Sequence, residues 1–509
     1  MISSARAGLP WLAVVGALLA GGCAVGPNYH RPSVPSAHGY APSPPPPSTA
    51  SVAAPGGAAQ RFDPARDLSA QWWTLYQSPA LNALIERAFK ASPTIDAARA
   101  ALKQAQENVA AQRGFFFPTV QAGYSVERQK LSGNTATSAA PGPQGNGEII
   151  APIAPAQPVT YTFHTADLTV GYTLDVFGLN RRQVESLQAQ AEQQRYELEA
   201  AYVTLASNVV AAAIQEASTR EQIIATESII DSAQRSLAIL RQQLHLGYVA
   251  QLDVAAQETA LAQAQQQLPP LQRQLEQTRD LLRELVGTAP DEELTQHFEL
   301  DSLHLPEDLP LSLPSKLIEQ RPDVLEAEAQ VHSASAQVGV AVANRLPQFT
   351  IDGALGGNAT QFGQMFQSSG TFWNLIGDAS ATLFDGGTLR HRQSAAEQGL
   401  VQAAAQYRST VLSAFQNVAD TLHALYSDAD ALRAAVVAEQ VARASLELTQ
   451  TQLKMGYIGA LPLLSAQQAY QQAVVTRVQA QAQRLGDTAA LFQALGGGWW
   501  NRPAAGSAP

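Results

Sequence analysis

The sequence predicts an internally duplicated α+β membrane protein, one that can enter a bilayer only as strands and only by oligomerising. Three observations point there. The segments QLHLGYVAQLD (243–253) and QLKMGYIGALP (452–462) repeat one helix-breaking junction at an interval of 209 residues. Four stretches alternate apolar and polar residues with the two-residue period of a strand. Two proline-free tracts of about 66 residues, 181–246 and 390–455, far exceed an ordinary helix of about 11–12 residues.

The chain begins MISSARAGLPWLAVVGALLAGGCAVGPNYHRP. Arg6 precedes an apolar run from Leu9 to Ala20, which is shorter than the roughly 20 residues of a membrane helix and reads as a secretory signal over 1–22. LLAGGC resembles a bacterial lipobox, which makes Cys23 the acylated N-terminus; Ala24 after it fits sorting to the outer membrane. Cys23 is the single cysteine, so no intrachain disulfide exists. Residues 23–67 are rich in Pro, Ser and Ala and read as an extended tether. No later stretch suggests a membrane helix, so any insertion must use strands in a closed barrel.

A shift of 209 aligns Asn208 with Asn417, Gln243 with Gln452, Gly247 with Gly456, Tyr248 with Tyr457, Leu252 with Leu461 and Gly287 with Gly496. A shift of 229 aligns Pro93 with Pro322 and Pro118 with Pro347. The chain therefore holds two copies of one unit, 68–290 and 312–500, with a connector at 291–311 and a flexible tail at 501–509. Each copy runs helix, strand, polar loop, strand, long helix, Gly-Tyr junction and returning helix.

The strand segments follow from alternation. Val120, Ala122, Tyr124 and Val126 share one face; so do Ala166, Leu168, Val170, Tyr172, Leu174 and Val176. Phe349, Ile351, Gly353 and Leu355 form a third such face, and Trp373, Leu375, Gly377, Ala379, Ala381 and Leu383 a weaker fourth. This suits a barrel with lipid outside and water inside, and equally a soluble half-buried sheet. In lipid, four strands cannot close, since about eight is the smallest barrel, and open edges are not tolerated.

The long tracts span roughly 100 Å as helices of about 1.5 Å per residue. Thr226, Ile230, Ala233, Leu237, Leu240 and Leu244 follow a coiled-coil spacing, repeated more weakly by Ala435, Glu439, Ala442, Leu446, Thr449 and Leu453. A plain antiparallel bundle with an Ala-rich core fits the composition too. Gly247 and Gly456 suit left-handed helix ends, with returning helices from near Asp253 and Pro462. Tyr248, Val249, Leu252, Tyr457, Ile458 and Leu461 then form apolar tips that suggest a partner. Asp253 is either a cap or part of that surface.

Charged residues are 15% of the chain and the net charge is −11, so no basic footprint exists for nucleic acid. The nine His are scattered, and HExxH, GxSxG and P-loop patterns are absent, which argues against an enzyme and calls for no cofactor.

Taken jointly, CAVGPNYHRP, QRPDV (320–324), LFDGG (383–387), the two Gly-Tyr tips and QALGGGWW (493–500) resemble the TolC-like outer membrane efflux proteins of the lipid-anchored branch. The resemblance covers essentially the whole mature chain. It implies a homotrimer with a twelve-stranded β-barrel in the outer membrane, continuous with a twelve-helix α-barrel in the periplasm. It also implies an exit duct docked on a periplasmic adaptor and an inner-membrane pump, most often of the resistance-nodulation-division type. The tips Gly247, Tyr248, Val249, Leu252, Asp253, Gly456, Tyr457 and Ile458 are then expected to meet the adaptor. Leu461 matches a channel constriction, and Ser465 stands where related proteins often carry an Asp. The rival reading is a soluble periplasmic coiled-coil lipoprotein bridging envelope layers.

Overall fold

A computed structural model describes residues 24–33, 39–42, 46–64, 66–131 and 159–502. Cys23 and the signal sequence, most of the first long polar loop and the tail beyond Arg502 lie outside the described residues. The chain divides into two compact units. One comprises the described residues of 1–30, 106–188 and 332–400, the other those of 31–105, 189–331 and 401–509.

The elements of the two halves match. The first half has α1 (Pro79–Ala91), α2 (Pro93–Arg113), β2 (Thr119–Leu131), β3 (Val159–Leu174), α3 (Leu179–His245) and α4 (Gln251–Leu285). A short strand β1 (Arg61–Asp63) precedes these, and its parallel partner β4 (Asp308–Pro310) lies in the connector. The second half has α5 (Pro314–Gln320), α6 (Pro322–Ala343), β5 (Gln348–Ala359), β6 (Thr371–Ser380), α7 (Thr388–Lys454) and α8 (Ala460–Ala494). The two long helices are 67 residues each and the two returning helices 35 each. Helix α4 continues through Pro269 and Pro270, which lack the N–H of an ordinary helix position.

The first unit holds a four-stranded antiparallel sheet in the order β2-β3-β5-β6. Its register puts Val120 opposite Val170, Val170 opposite Gly353 and Gly353 opposite Leu375, so the four predicted apolar faces are one face. Most of their large side chains are exposed in the single chain, Trp373 at 77% and Val120 at 62%. Strand β6 ends at Ser380, earlier than the alternation suggested. Leu383 and Phe384 stand almost free in the following turn, next to Asp385. Its carboxylate accepts from Gly387 N at 2.8 Å and Leu389 N at 2.7 Å, capping α7; the Leu389 amide foremost holds its pKa below the usual carboxylate range. Asp175 likewise caps α3, accepting from Asn180 N (2.8 Å) and Arg181 N (3.1 Å).

The tether expected over 23–67 is corrected where it is described. Val25 N donates to Phe177 O at 3.1 Å, and Arg182 donates to Val25 O, Gly26 O and Asn28 Oδ1. Tyr29 stacks on His332 with ring centroids 4.4 Å apart. In the second unit, residues 46–63 form a strap over α8. The guanidinium of Arg484, fully buried, donates to Gly56 O (2.9 Å), Ala58 O (2.7 Å) and Thr49 Oγ1 (3.0 Å). Gln60 ties the strap to Pro306 O and Thr488 Oγ1, both at 3.0 Å. Order here comes from backbone carbonyls finding a buried donor, not from apolar burial.

Beneath the strap lies a core of Leu68, Trp72, Tyr76, Leu81, Ile85, Phe298, Leu485 and Phe492. Tyr76 Oη donates to Leu485 O at 2.8 Å and Trp72 packs on Phe492. The predicted stripes of the long helices face inward, with Thr226, Ala233, Leu237 and Leu240 buried. Glu439, the apparent flaw in the second stripe, is also buried. It accepts from Arg477 Nε (2.9 Å) and Arg443 Nη2 (2.5 Å), and Arg477 continues to Glu221 Oε1 (2.6 Å). One window of α3 reaches a mean hydropathy of 1.2, which the sequence reading passed over; half of it is buried, as in the core helix of a packed protein.

Asp428 on α7 meets Asp487 on α8. Burial, then the hydrogen bond with Asp487, raises its pKa from 3.8 to about 7. Asp428 Oδ2 finds no donor among the described residues, so against another carboxylate it is satisfied only by carrying a proton itself. The folded chain thus keeps a proton that the unfolded chain releases, and stability declines as pH rises from about 4 to about 7. Asp428→Asn is expected to flatten that decline and add about 1–2 kcal/mol at pH 8, a figure discounted because the carboxyl is only half-buried. Thermal midpoints at pH 5 and pH 8 read this directly; an unchanged slope in the variant contradicts it.

Candidate functional site

The two hairpin tips are built alike. At the end of α3, Gly247 N donates to Leu244 O and Tyr248 N to Gln243 O, both at 2.9 Å. At the end of α7, Gly456 N donates to Leu453 O and Tyr457 N to Gln452 O, both at 3.0 Å. This is the paired bonding of a Schellman stop, and it needs a left-handed residue. Gly247 and Gly456 supply it at φ 77° and 76°. A Cβ at either position meets nothing within 4 Å, so the backbone angle alone selects glycine.

The tips lie side by side in the second unit. Gln243 Nε2 donates to Leu453 O at 3.1 Å, and one buried cluster joins Leu237, Leu240, Val254, Leu446, Leu453, Ala460 and Leu463. Val249 and Ile458, expected on the contact surface, pack partly buried against this cluster. Asp253 Oδ2 accepts from Ala250 N at 3.0 Å, which makes it the cap of α4. Tyr248 and Leu252 remain 78% exposed, Tyr457 77% and Leu461 73%. Ser465 is exposed one turn beyond Leu461 on the same side of α8.

Two further tip residues escaped the sequence reading. Leu246 and Met455, each just before its glycine, are also mostly exposed. The signal was present: Leu246 and Met455 are related by the same interval of 209 as Tyr248 and Tyr457, or Leu252 and Leu461. Three equivalent pairs of apolar side chains thus form one exposed patch.

Below the resolution of any single motif, the family is decided by the pattern as a whole. The model of the outer membrane efflux protein family matches this chain twice, over residues 84–288 and 313–497. The chain belongs to the outer membrane efflux protein family. It is 30% identical over 460 residues to the pyoverdine export outer membrane protein OpmQ of Pseudomonas putida, covering 90% of this chain and 94% of that one. It is 26% identical over 495 residues to the probable efflux pump outer membrane protein TtgC of the same species, covering 96% and 95%. The structure of the outer-membrane channel OprN superposes with a TM-score of 0.80 at 25% identity, covering 94% of this chain and all of that one.

Outer membrane efflux proteins of this fold are trimeric TolC-like channels of the outer membrane. Three chains of four strands close a twelve-stranded barrel, which continues into a twelve-helix α-barrel. Among the described residues, strands β2 and β6 each have one unpaired edge, and a barrel closed by three chains requires those edges to pair with neighbouring chains. As a family member the chain is the outer membrane exit duct of an efflux pump, a transport protein that works with adaptor and inner-membrane partners.

Proposed function

We propose that the protein is anchored by acylated Cys23 and docks its helix tips on a periplasmic adaptor, passing small molecules delivered by a resistance-nodulation-division pump. Leu246, Tyr248, Leu252, Met455, Tyr457 and Leu461 make the adaptor contact. Gly247 and Gly456 hold that surface in shape, while Val249, Ile458 and Asp253 support it from behind. Leu461 and Ser465 line the constriction at the closed end; with Ser465 in place of an acid, this ring carries no charge of its own. Opening is a shift in population between two packings of the tip helices, biased by adaptor contacts. The observation that carries the reading is the pair of identical stops, each projecting apolar side chains into solvent.

Deleting the gene in its own host, with pump and adaptor intact, is expected to raise cellular accumulation of a fluorescent pump substrate. Restoring the chain reverses this. Accumulation that stays unchanged in the deletion contradicts the proposal.

A further inference from the structure

The apolar face of the sheet changes character at one end. Along β2 it runs Val120, Ala122, Tyr124 and Val126, and then Arg128 and Lys130. These are the only Lys or Arg among the described residues of the four strands. They lie across from Thr162 and Thr160 of β3. At about 3.3 Å per residue they stand roughly 7 Å apart on one face. Both are exposed, and neither has an ion-pair partner among the described residues. Glu127, their neighbour in sequence, belongs to the opposite face.

Just inward of the two cations, four rings meet on the same face. Tyr124 Oη and His164 Nδ1 share a hydrogen bond of 2.9 Å. Phe362 sets its ring edge-on to both, with centroids 5.9 and 6.1 Å away, and Phe366 joins Phe362 at 5.8 Å. The loop between β5 and β6 carries these two Phe residues to the sheet. Met365 between them is fully buried and anchors it. Its close turn needs glycine, because a Cβ at Gly357 would overlap Met365 O and one at Gly370 would lie 2.6 Å from Gln364 O. The rings themselves stay open: Tyr124 is 55% exposed, Phe362 54% and Phe366 70%. A folded loop that buries a methionine and presents aromatic faces beside two unpaired cations is a built surface.

We propose that Arg128, Lys130 and this aromatic platform bind the headgroup of a phosphorylated glycolipid in the outer leaflet, one to each chain. The inference rests on the channel assignment, in which the apolar face meets lipid. Helix α2 leads into β2 at its Thr119 end and β3 leads out to α3 beyond Leu174, so Arg128 and Lys130 lie at the end of the sheet away from the helices. With the helices in the periplasm, that end reaches the outer leaflet. A charge on the lipid side costs little there, since the penalty falls toward zero at the interface. Arg and Lys both bind phosphate, Arg through two parallel N–H donors. The rings select the rest of the headgroup. Their electron-rich faces suit the C–H groups of a sugar ring, which a simple glycerol phospholipid lacks.

The test is titration of the delipidated trimer, in mild detergent, with fluorescent bisphosphorylated lipid A. Saturable binding is expected, with dephosphorylated lipid A and phosphatidylglycerol each competing at least about tenfold more weakly. Arg128→Gln/Lys130→Gln is expected to weaken binding at least about tenfold with the trimer intact. Should that variant fail to assemble, Lys130→Gln alone is expected to weaken it part of the way. Tyr124→Leu/Phe362→Leu is expected to narrow the preference for lipid A over phosphatidylglycerol. Glu127→Gln, adjacent in sequence but on the other face, is expected to leave binding unchanged. Phosphatidylglycerol competing as well as lipid A overturns the glycolipid assignment. Absent saturable binding, or binding that the basic variants do not move, overturns the site while leaving a working channel. A chain that is soluble and monomeric without detergent overturns the channel assignment itself.

Discussion

Replacing Tyr248, Leu252, Tyr457 and Leu461 together by Ser is expected to abolish efflux while leaving a trimer of normal heat stability in the outer membrane. These side chains are mostly exposed, so their loss removes little core packing, and exposed substitutions usually change stability by less than about 0.5 kcal/mol. Docking is another matter. Burying an apolar side chain of this size against a partner contributes about 1.5–3 kcal/mol, and four are lost from each chain. Val249→Ser and Ile458→Ser form the contrast, because both residues pack on the tip cluster and their loss is expected to loosen the tip itself. Drug susceptibility, adaptor co-purification and trimer migration together read the outcome. Normal efflux by the fourfold variant contradicts a docking role; loss of the trimer means that the residues only shape the turn.

Leu168→Arg is expected to prevent stable insertion. Leu168 lies on the apolar face, between Ala122 and Leu355. A charge on the lipid side of a barrel near mid-bilayer costs about 2–4 kcal/mol per chain, and the trimer multiplies that cost. Thr169→Arg, one residue along, points to the opposite face and is expected to assemble and insert. Quantifying heat-modifiable trimer in outer membrane fractions separates the two variants. Equal assembly of both means that neither face meets lipid.

Much of this was legible in the sequence because the signals were periodic. Alternation at Val120, Leu168, Ile351 and Trp373 marked the apolar face of each of four strands, since strand side chains alternate strictly; the pairing then made them one face. The Gly-Tyr junctions marked the tips because a left-handed helix end restricts the residue that can stand there. The limits of the reading are equally specific. Leu383 kept the alternation by chance beyond the end of β6. Val249 and Ile458 could not be told from Tyr248 and Tyr457, because burial at a tip depends on how two hairpins pack, which spacing does not encode. The strap over 46–63 was invisible for a different reason. Its Pro- and Ala-rich composition carries no apolar period, and its carbonyls are satisfied by Arg484, more than 420 residues away in sequence. Glu439 looked like a break in a stripe, because its partner Arg477, which also pairs with Glu221, comes from another helix.

The central claim is that four strands per chain are one third of a barrel closed by three copies in lipid. The most direct measurement is the mass of the Cys23→Ser protein, exported with an unacylated signal peptide and examined by light scattering corrected for bound detergent. The account predicts that it leaves the membrane only with detergent and has three times the mass of one chain. A monomer that stays soluble and folded in plain buffer would contradict it and favour a periplasmic coiled-coil lipoprotein.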